Sequence, residues 1–97
     1  MSLARFAKRR DQNEAEIVKA LRRIGAVVWQ LDTPADLLVG HHGQFFTLEV
    51  KDGALSPSRR ALTPLETTYA LICQDHGLPH RVVVSLEEAL AAVLGES

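Results

Sequence analysis

Residues 34–51 read PADLLVGHHGQFFTLEVK, and this stretch decides the fold prediction. It is typical of two short apolar strands joined by a glycine-containing turn. Because side chains alternate along a strand, Glu49 and Lys51 project from one face, and the apolar residues beside them project from the other. An antiparallel partner strand about 5 Å away brings Asp36 next to Glu49. We therefore expect two carboxylates and one ammonium group to lie together at the end of a hairpin.

Such a cluster of charges is costly in a folded protein unless something compensates for it. Two close carboxylates repel each other, so on partial burial they either shift their pKa values or bind a cation. Mg²⁺ is the natural choice because it prefers hard oxygen ligands. The alternative is a fortuitous pattern, since an aspartate at a strand start and Glu-x-Lys at a strand end occur by chance in many α/β domains.

The rest of the chain predicts alternating helices and strands. One helix begins at Asp11, an N-cap followed three residues later by Glu14, and ends at Gly25. Another begins at Thr63, which is followed by proline and then by Glu66 at the third helical position. The predicted elements are helices at 11–24, 63–76 and 85–94 and strands at 26–31, 35–39, 44–51 and 81–84. Their order along the chain is α-β-β-β-α-β-α.

Pro34-Ala35-Asp36 followed by Glu49-Val50-Lys51 resembles the signature of the PD-(D/E)XK nuclease superfamily, with one alanine between the proline and the aspartate. The run EVKDG, a loop, LTP at a helix start and a glycine-terminated helix are similar to the small VRR-NUC branch. They are more distantly similar to archaeal-type Holliday junction resolvases. The resemblance spans residues 11–94 and implies an α/β, restriction-endonuclease-like core, a mixed sheet flanked by helices on both faces. Members of the VRR-NUC branch tend to carry glutamine where this chain has Glu66.

The resemblance implies a DNA endonuclease that hydrolyses phosphodiester bonds with Mg²⁺ or Mn²⁺, with branched or structured DNA among its expected substrates. Asp36, Glu49 and the backbone carbonyl of Val50 would hold the metal, which lowers the pKa of the attacking water. Lys51 would orient that water or stabilise developing negative charge. The carboxylates of Glu14 and Glu66 would either bind the metal as additional ligands or contact the residues that bind it. The alternative is a catalytically inactive nuclease-fold module that binds nucleic acid or a protein.

Two groups of basic residues are candidates for contact with phosphates. Lys8, Arg9 and Arg10 belong to a basic N-terminal arm, residues 1–10, that could neutralise phosphate charge. Arg59 and Arg60 end the loop that leaves the predicted metal site, where guanidinium groups could bind phosphate in bidentate fashion. For both groups the alternative is a solvated segment without a ligand.

Three other features are expected to have structural and not catalytic roles. Trp29, the only tryptophan, is expected to be a packing residue and not a platform for base stacking. His41 and His42 are expected to be exposed turn residues, because adjacent histidines on a tight turn rarely chelate one ion without further ligands. Cys73, the only cysteine, is expected to be a small core residue, and its isolation agrees with a reducing compartment.

Length and composition predict the number of domains, the location and the assembly of the protein. With 97 residues, the chain is expected to form one nuclease-like domain, residues 11–97, after the basic arm. No apolar run approaches the ~20 residues that a bilayer helix needs, so we expect a soluble, cytoplasmic protein. A unit of this size offers little surface to a duplex or a junction, so we expect a homodimer with two-fold symmetry, with a monomer as the alternative.

Overall fold

The computed structural model describes residues 10–95 and confirms the predicted order of elements. The helices are α1 (Glu14–Arg23), α2 (Pro64–His76) and α3 (Leu86–Leu94), and the strands are β1 (Val27–Gln30), β2 (Leu37–His41), β3 (Gln44–Val50) and β4 (His80–Val83). The fold is α/β, a four-stranded mixed sheet flanked by helices. Among the described residues, no helix has the length and apolar character needed to cross a membrane.

The strands lie in the order β1-β2-β3-β4, with antiparallel pairs up to β3 and a parallel pair between β3 and β4. His42 and Gly43 join β2 to β3, and both have positive φ, 49° and 78°. Positive φ at both central residues is the geometry of the two-residue hairpin turn whose twist matches that of the strands. As expected, His42 is exposed, and its ring stacks on that of His41 with centroids 3.9 Å apart. The turn fixes the register of the whole hairpin.

The two faces of the sheet are covered unequally. Helices α1 and α3 pack on one face, and the core there consists of Ile17, Val18, Leu21, Ala26, Val28, Leu37, Val39, Leu48, Val50, Val83, Ala89 and Val93. Helix α2, the crossover between β3 and β4, lies against the other face, which we call the open face. The residues of the open face are Val27, Trp29, Leu38, Gly40, Phe45, Thr47, Glu49, His80 and Val82, by the register of the four strands.

The helix starts agree with the sequence at two places and differ at one. Thr63 and Glu66 form the predicted capping box of α2, and Ser85 accepts a hydrogen bond from the Glu88 N–H at the start of α3. The assignment of Asp11 as the N-cap of α1 is wrong, because the N-cap is Asn13 and its side chain makes no cap hydrogen bond.

The reason lies in where the amide of Asn13 is used. Its Nδ2 donates to the carbonyl of Lys51 at 3.1 Å and to that of Val84 at 3.4 Å, so the residue ties the start of α1 to the ends of β3 and β4. Helix α1 therefore begins where contact with the sheet begins. A local capping pattern at Asp11 cannot report such a contact.

The expected packing role of Trp29 is also wrong. Its side chain lies on the open face of edge strand β1 and is 51% exposed. The strand assignment at this position is confirmed, but helix α2 does not bury the indole. Cys73, by contrast, is buried as expected.

Candidate active site

Asp36 and Glu49 lie side by side where the hairpin strands end. The last register pair is Leu37 with Leu48, and the Asp36 N–H still donates to the Leu48 carbonyl at 3.1 Å, so the next position brings Asp36 opposite Glu49. The Val50 N–H donates to Asp36 Oδ2 at 2.7 Å and fixes that carboxylate. Asp36 is 3% exposed and Glu49 is 2% exposed. The juxtaposition predicted from the sequence is confirmed, and both carboxyl groups are buried.

Burial and crowding change the protonation of Glu49. Burial contributes most, and hydrogen bonds and charges of Asp36 and Glu66 add to it, raising the pKa of Glu49 to about 9. Glu49 is therefore a neutral carboxylic acid at neutral pH and can donate to a neighbouring carboxylate. In this state a shared proton removes the repulsion that the sequence predicts for the pair.

Lys51 and Glu66 form the second half of the cluster. Lys51 Nζ lies 2.8 Å from Glu66 Oε1 and 3.9 Å from Glu49 Oε2. Burial favours neutral Glu66, but hydrogen bonds from Lys51 and from the Thr63 backbone outweigh it and lower the pKa of Glu66 to about 2. Burial also lowers the pKa of Lys51, and the hydrogen bond and charge of Glu66 more than offset this, so its pKa is raised. Both groups are ionised at neutral pH.

Glu66 has two roles in the structure. Its Oε1 accepts the Thr63 N–H at 2.9 Å, which completes the capping box, and the same oxygen accepts from Lys51. The sequence left open whether this carboxylate binds the metal or caps the helix; the structure confirms the cap and adds the contact with Lys51, and metal binding stays a prediction.

The chain leaves the site through a tight contact between the ends of β3 and β4. The Lys51 N–H donates to the Val83 carbonyl at 2.9 Å, and the Gly53 N–H donates to the Val84 carbonyl at 3.1 Å. A Cβ at Gly53 would lie 2.8 Å from the Val84 carbonyl oxygen, which is too close for any other residue without movement. This approach holds the backbone of Lys51 against the sheet.

One of the two loop arginines, Arg60, lies close to this exit. Arg60 donates from Nη1 to the Gly53 carbonyl at 3.2 Å, which folds the loop back towards the site, and Arg59 is exposed. Lys8 and Arg9, the other predicted phosphate-binding residues besides Arg10, lie outside the described residues.

Glu14 lies at the start of α1 and is 1% exposed. Its Oε2 accepts from Arg10 Nη1 at 2.7 Å and from Gln30 Nε2 at 3.0 Å. Arg10 also donates to the backbone carbonyls of Leu31 and Asp36, at 3.1 and 3.5 Å. Arg10 therefore connects the Glu14 carboxylate to the Asp36 backbone carbonyl, and its guanidinium group is hydrogen-bonded within the domain.

The oxygen atoms of the cluster are of the type that binds a hard divalent cation. The oxygens of Asp36, Glu49 and the Val50 carbonyl are of the type that Mg²⁺ prefers. Among the described residues, however, no group of three or more His, Cys, Asp or Glu side chains has an arrangement that could hold a metal ion. The cluster is closed around the Glu49 proton and the Lys51 ammonium, so a metal would have to displace the proton. The residues fit Mg²⁺ in chemistry, whereas their described arrangement does not form a metal-ligand group of three or more side chains.

A hydrogen-bonded group that the sequence did not reveal lies next to the cluster. Thr47, on the same face as Glu49 and two residues before it, is 3.0 Å from Tyr69 Oη and 2.7 Å from His80 Nδ1 through its Oγ1. Burial raises the pKa of Tyr69 and lowers that of His80. The group ties α2 to β3 and β4 one helical turn from Glu66, which places that carboxylate over Lys51. The alternation Thr47-x-Glu49 was the only sequence signal for it.

Comparisons of the chain with protein-family models, with curated proteins and with solved structures found no match. The order of elements agrees with the one that the resemblance to PD-(D/E)XK nucleases implies. The assignment to that superfamily stays a prediction, supported by Asp36, Glu49 and Lys51 at one end of the sheet.

Proposed function

We propose that the protein is a divalent-metal-dependent endonuclease that hydrolyses DNA phosphodiester bonds. The observation that carries the proposal is geometric: Asp36 and Glu49 lie side by side and buried at the end of β3, with the Lys51 ammonium 3.9 Å from Glu49. An apolar pair of the same size would stabilise this part of the fold better than two buried acids. A site for cation-assisted chemistry gives these residues a reason to be together.

The proposed mechanism assigns each side chain a separate task. Asp36, already oriented by the Val50 N–H, and Glu49, after loss of its proton, would bind Mg²⁺ or Mn²⁺ together with the Val50 carbonyl. The bound metal would polarise the phosphate and lower the pKa of the attacking water. Lys51, kept charged by Glu66, would stabilise the negative charge that develops on the phosphoryl oxygens. Glu66 would hold the ammonium in position until substrate arrives.

Substrate contact would extend from the cluster to the loop after β3. Arg59 is exposed and lies next to Arg60, which is anchored to the Gly53 carbonyl. Two guanidinium groups beside the site could bind successive phosphates in bidentate fashion. We propose DNA as the partner, with branched or structured forms included, a cytoplasmic location, and a two-fold dimer as the active assembly.

One observation favours the second candidate, a nuclease-fold module that binds without cutting. Lys51 is engaged by Glu66 at 2.8 Å, at the position where the VRR-NUC branch tends to carry an uncharged glutamine. If this ion pair persists when DNA is bound, the ammonium is not available to the phosphate. The two candidates therefore differ in whether Lys51 contributes to metal-dependent turnover.

The decisive experiment is cleavage of a labelled panel of single-stranded, duplex, nicked and four-way-junction DNA in Mg²⁺, Mn²⁺ or EDTA. The wild type is compared with Lys51→Ala and with Lys19→Ala, a matched control on the exposed side of α1. We expect metal-dependent cleavage that Lys51→Ala abolishes and Lys19→Ala leaves intact. Binding of a panel member without cleavage in any metal would replace the endonuclease with the binding module.

Assembly is tested separately. Gel filtration with light scattering should give twice the monomer mass, and a monomer at high protein concentration would exclude the dimer.

Metal binding is tested by thermal unfolding. A rise in melting temperature with Mg²⁺ or Mn²⁺ would show that the native state binds the ion.

A further inference from the structure

Two aromatic rings lie exposed on the open face of the sheet. Trp29 is 51% exposed and Phe45 is 59% exposed, and their ring centroids are 6.1 Å apart with an interplanar angle of 34°. Apolar aromatic surface of this kind is usually buried or used in recognition. The pair therefore calls for an explanation other than packing of the core.

A glycine shapes the surface between these rings. Gly40 pairs with both Val27 and Phe45, and a Cβ at Gly40 would lie 3.0 Å from the nearest atom of the Phe45 ring. The missing side chain lets that ring lie down over β2 towards Trp29. The result is a low aromatic platform that leaves ring surface open to solvent.

The platform is continuous with the candidate active site. Trp29, Leu38 and Thr47 are register partners across three strands, and Glu49 lies two residues beyond Thr47 on the same face, about 7 Å along β3. On the open face, Leu38 lies next to Trp29, and Thr47 lies between Phe45 and Glu49; neither carries a charge, and Thr47 is buried beneath Tyr69 of α2. A strand lying on the rings would therefore approach the cluster over Leu38, beside α2.

We infer that Trp29 and Phe45 form a base-stacking platform for single-stranded nucleic acid beside the site where Asp36, Glu49 and Lys51 meet. The inference rests on the proposed function for its ligand, and it adds a substrate class, a strand with unpaired bases. Phosphates of that strand would meet Lys51 and the loop arginines, and its unpaired bases would cover the rings. Base stacking on aromatic side chains needs no particular sequence, because every base has a π-face.

A second copy of the chain is the other occupant that exposed apolar rings would suit. The position of the platform argues against it. A two-fold partner seated over Trp29 and Phe45 would cover the face from which Glu49 projects and would compete with substrate. A nucleic-acid strand covers the rings and reaches the site at once.

The chain offers a direct probe, because Trp29 is its only tryptophan. Tryptophan fluorescence is measured in EDTA while unlabelled oligothymidylate of about 12 nucleotides is added, a length within known single-strand site sizes. The titration is repeated with a duplex of that length. Affinities are measured in parallel by anisotropy of the labelled oligonucleotides. We expect saturable quenching by the single strand and weaker binding of the duplex.

The variants separate stacking from apolar burial. Phe45→Leu keeps apolar area and removes the π-face, and should weaken single-strand binding at least about fivefold. Trp29→Phe should retain the affinity that Trp29→Leu loses. Leu71→Ala is the matched control, since Leu71 is 55% exposed and projects from α2 on the side opposite Tyr69.

Three results would overturn the inference: binding without quenching, absence of single-strand binding, or an unchanged affinity of folded Phe45→Leu. A wild-type dimer that Phe45→Leu converts to monomer would assign the platform to a second copy. Failure of the proposed function is distinguishable, because quenching in EDTA needs no cleavage. Saturable quenching in EDTA by a protein that cuts no substrate in any metal would refute the endonuclease and leave the platform standing.

Discussion

Replacing Glu49 with glutamine should change how the stability of the protein depends on pH. Glu49 is 2% exposed, and burial with the hydrogen bonds and charges of Asp36 and Glu66 raises its pKa from the ordinary 4.5 to about 9. The variant Glu49→Gln has nearly the same shape and does not titrate. Its amide carries two N–H donors and can donate to the carboxylates of Asp36 and Glu66, where the neutral acid has a single O–H.

The sign follows from proton binding in the two states. Between pH 4.5 and 9 the folded protein holds a proton on Glu49 that the unfolded chain has lost, so the free energy of unfolding falls as pH rises. The contribution is complete below pH 4.5 and is lost as pH rises towards 9. One proton corresponds to about 1.4 kcal/mol per pH unit. The difference between Glu49→Gln and wild type should therefore grow in favour of the variant by about that amount per unit.

Urea unfolding in EDTA at about pH 5.5, 6.5 and 7.5, all within this window, measures the effect. With m-values of about 1 to 3 kcal/mol/M, the difference in midpoint should grow by roughly 0.5 to 1.4 M per pH unit. Histidine titration, including that of His80, is common to both proteins and cancels in the difference. Glu16→Gln, on the exposed side of α1, is the matched control and should run parallel to wild type. Parallel wild-type and Glu49→Gln profiles would refute the neutral buried acid.

Three further substitutions test the surroundings of the cluster. Thr47→Val removes a hydroxyl with two side-chain partners and should cost about 1 to 3 kcal/mol of unfolding free energy in urea. Glu66→Gln removes a charge that raises the pKa of Glu49, so at pH 7 Mg²⁺ should raise its melting temperature more than that of wild type. Gly53→Ala puts a methyl group 2.8 Å from the Val84 carbonyl and should cost about 1 to 3 kcal/mol, while Ala54→Ser in the same loop should be neutral by urea unfolding.

The fold was accessible from the sequence because its signals are local. Alternation in 44–50, a glycine-containing turn before it, and the capping box at Thr63 each act within a few residues; the turn itself is shorter than expected, because β2 extends to His41. The one error in helix starts, Asp11, arose where a contact 38 residues away in sequence, from Asn13 to Lys51, sets the boundary. Local patterns predict elements well and predict their first residue poorly when packing decides it.

The same distinction applies to the site. The proximity of Asp36 and Glu49 could be expected from a hairpin, but its register could not, because the predicted strands 35–39 and 44–51 leave 40–43 between them, whereas in the structure only His42 and Gly43 join β2 to β3. The contact between Lys51 and Glu66 could not be derived in this way, since it depends on how α2 crosses from β3 to β4. The capping pattern predicted that the helix containing Glu66 begins after Thr63. It gave no information about which strand that helix would cover.

The exposure of Trp29 follows from the unequal number of helices on the two faces. Alternation alone places Trp29 on one face of β1 and Val28 on the other, but it does not say which face is covered. Helices α1 and α3 contact each other on the Val28 side, and on the other side Tyr69 of the crossover helix α2 contacts Thr47 of β3 and His80 of β4. One helix is about 10 Å across, whereas four strands span about 14 Å between their outer axes, so a single helix leaves the β1 edge open. The surface that α2 leaves open is the β1 edge with its aromatic rings, whereas Glu49 on β3 is 2% exposed, so the exposed rings and the buried carboxyl group are consequences of the same topology.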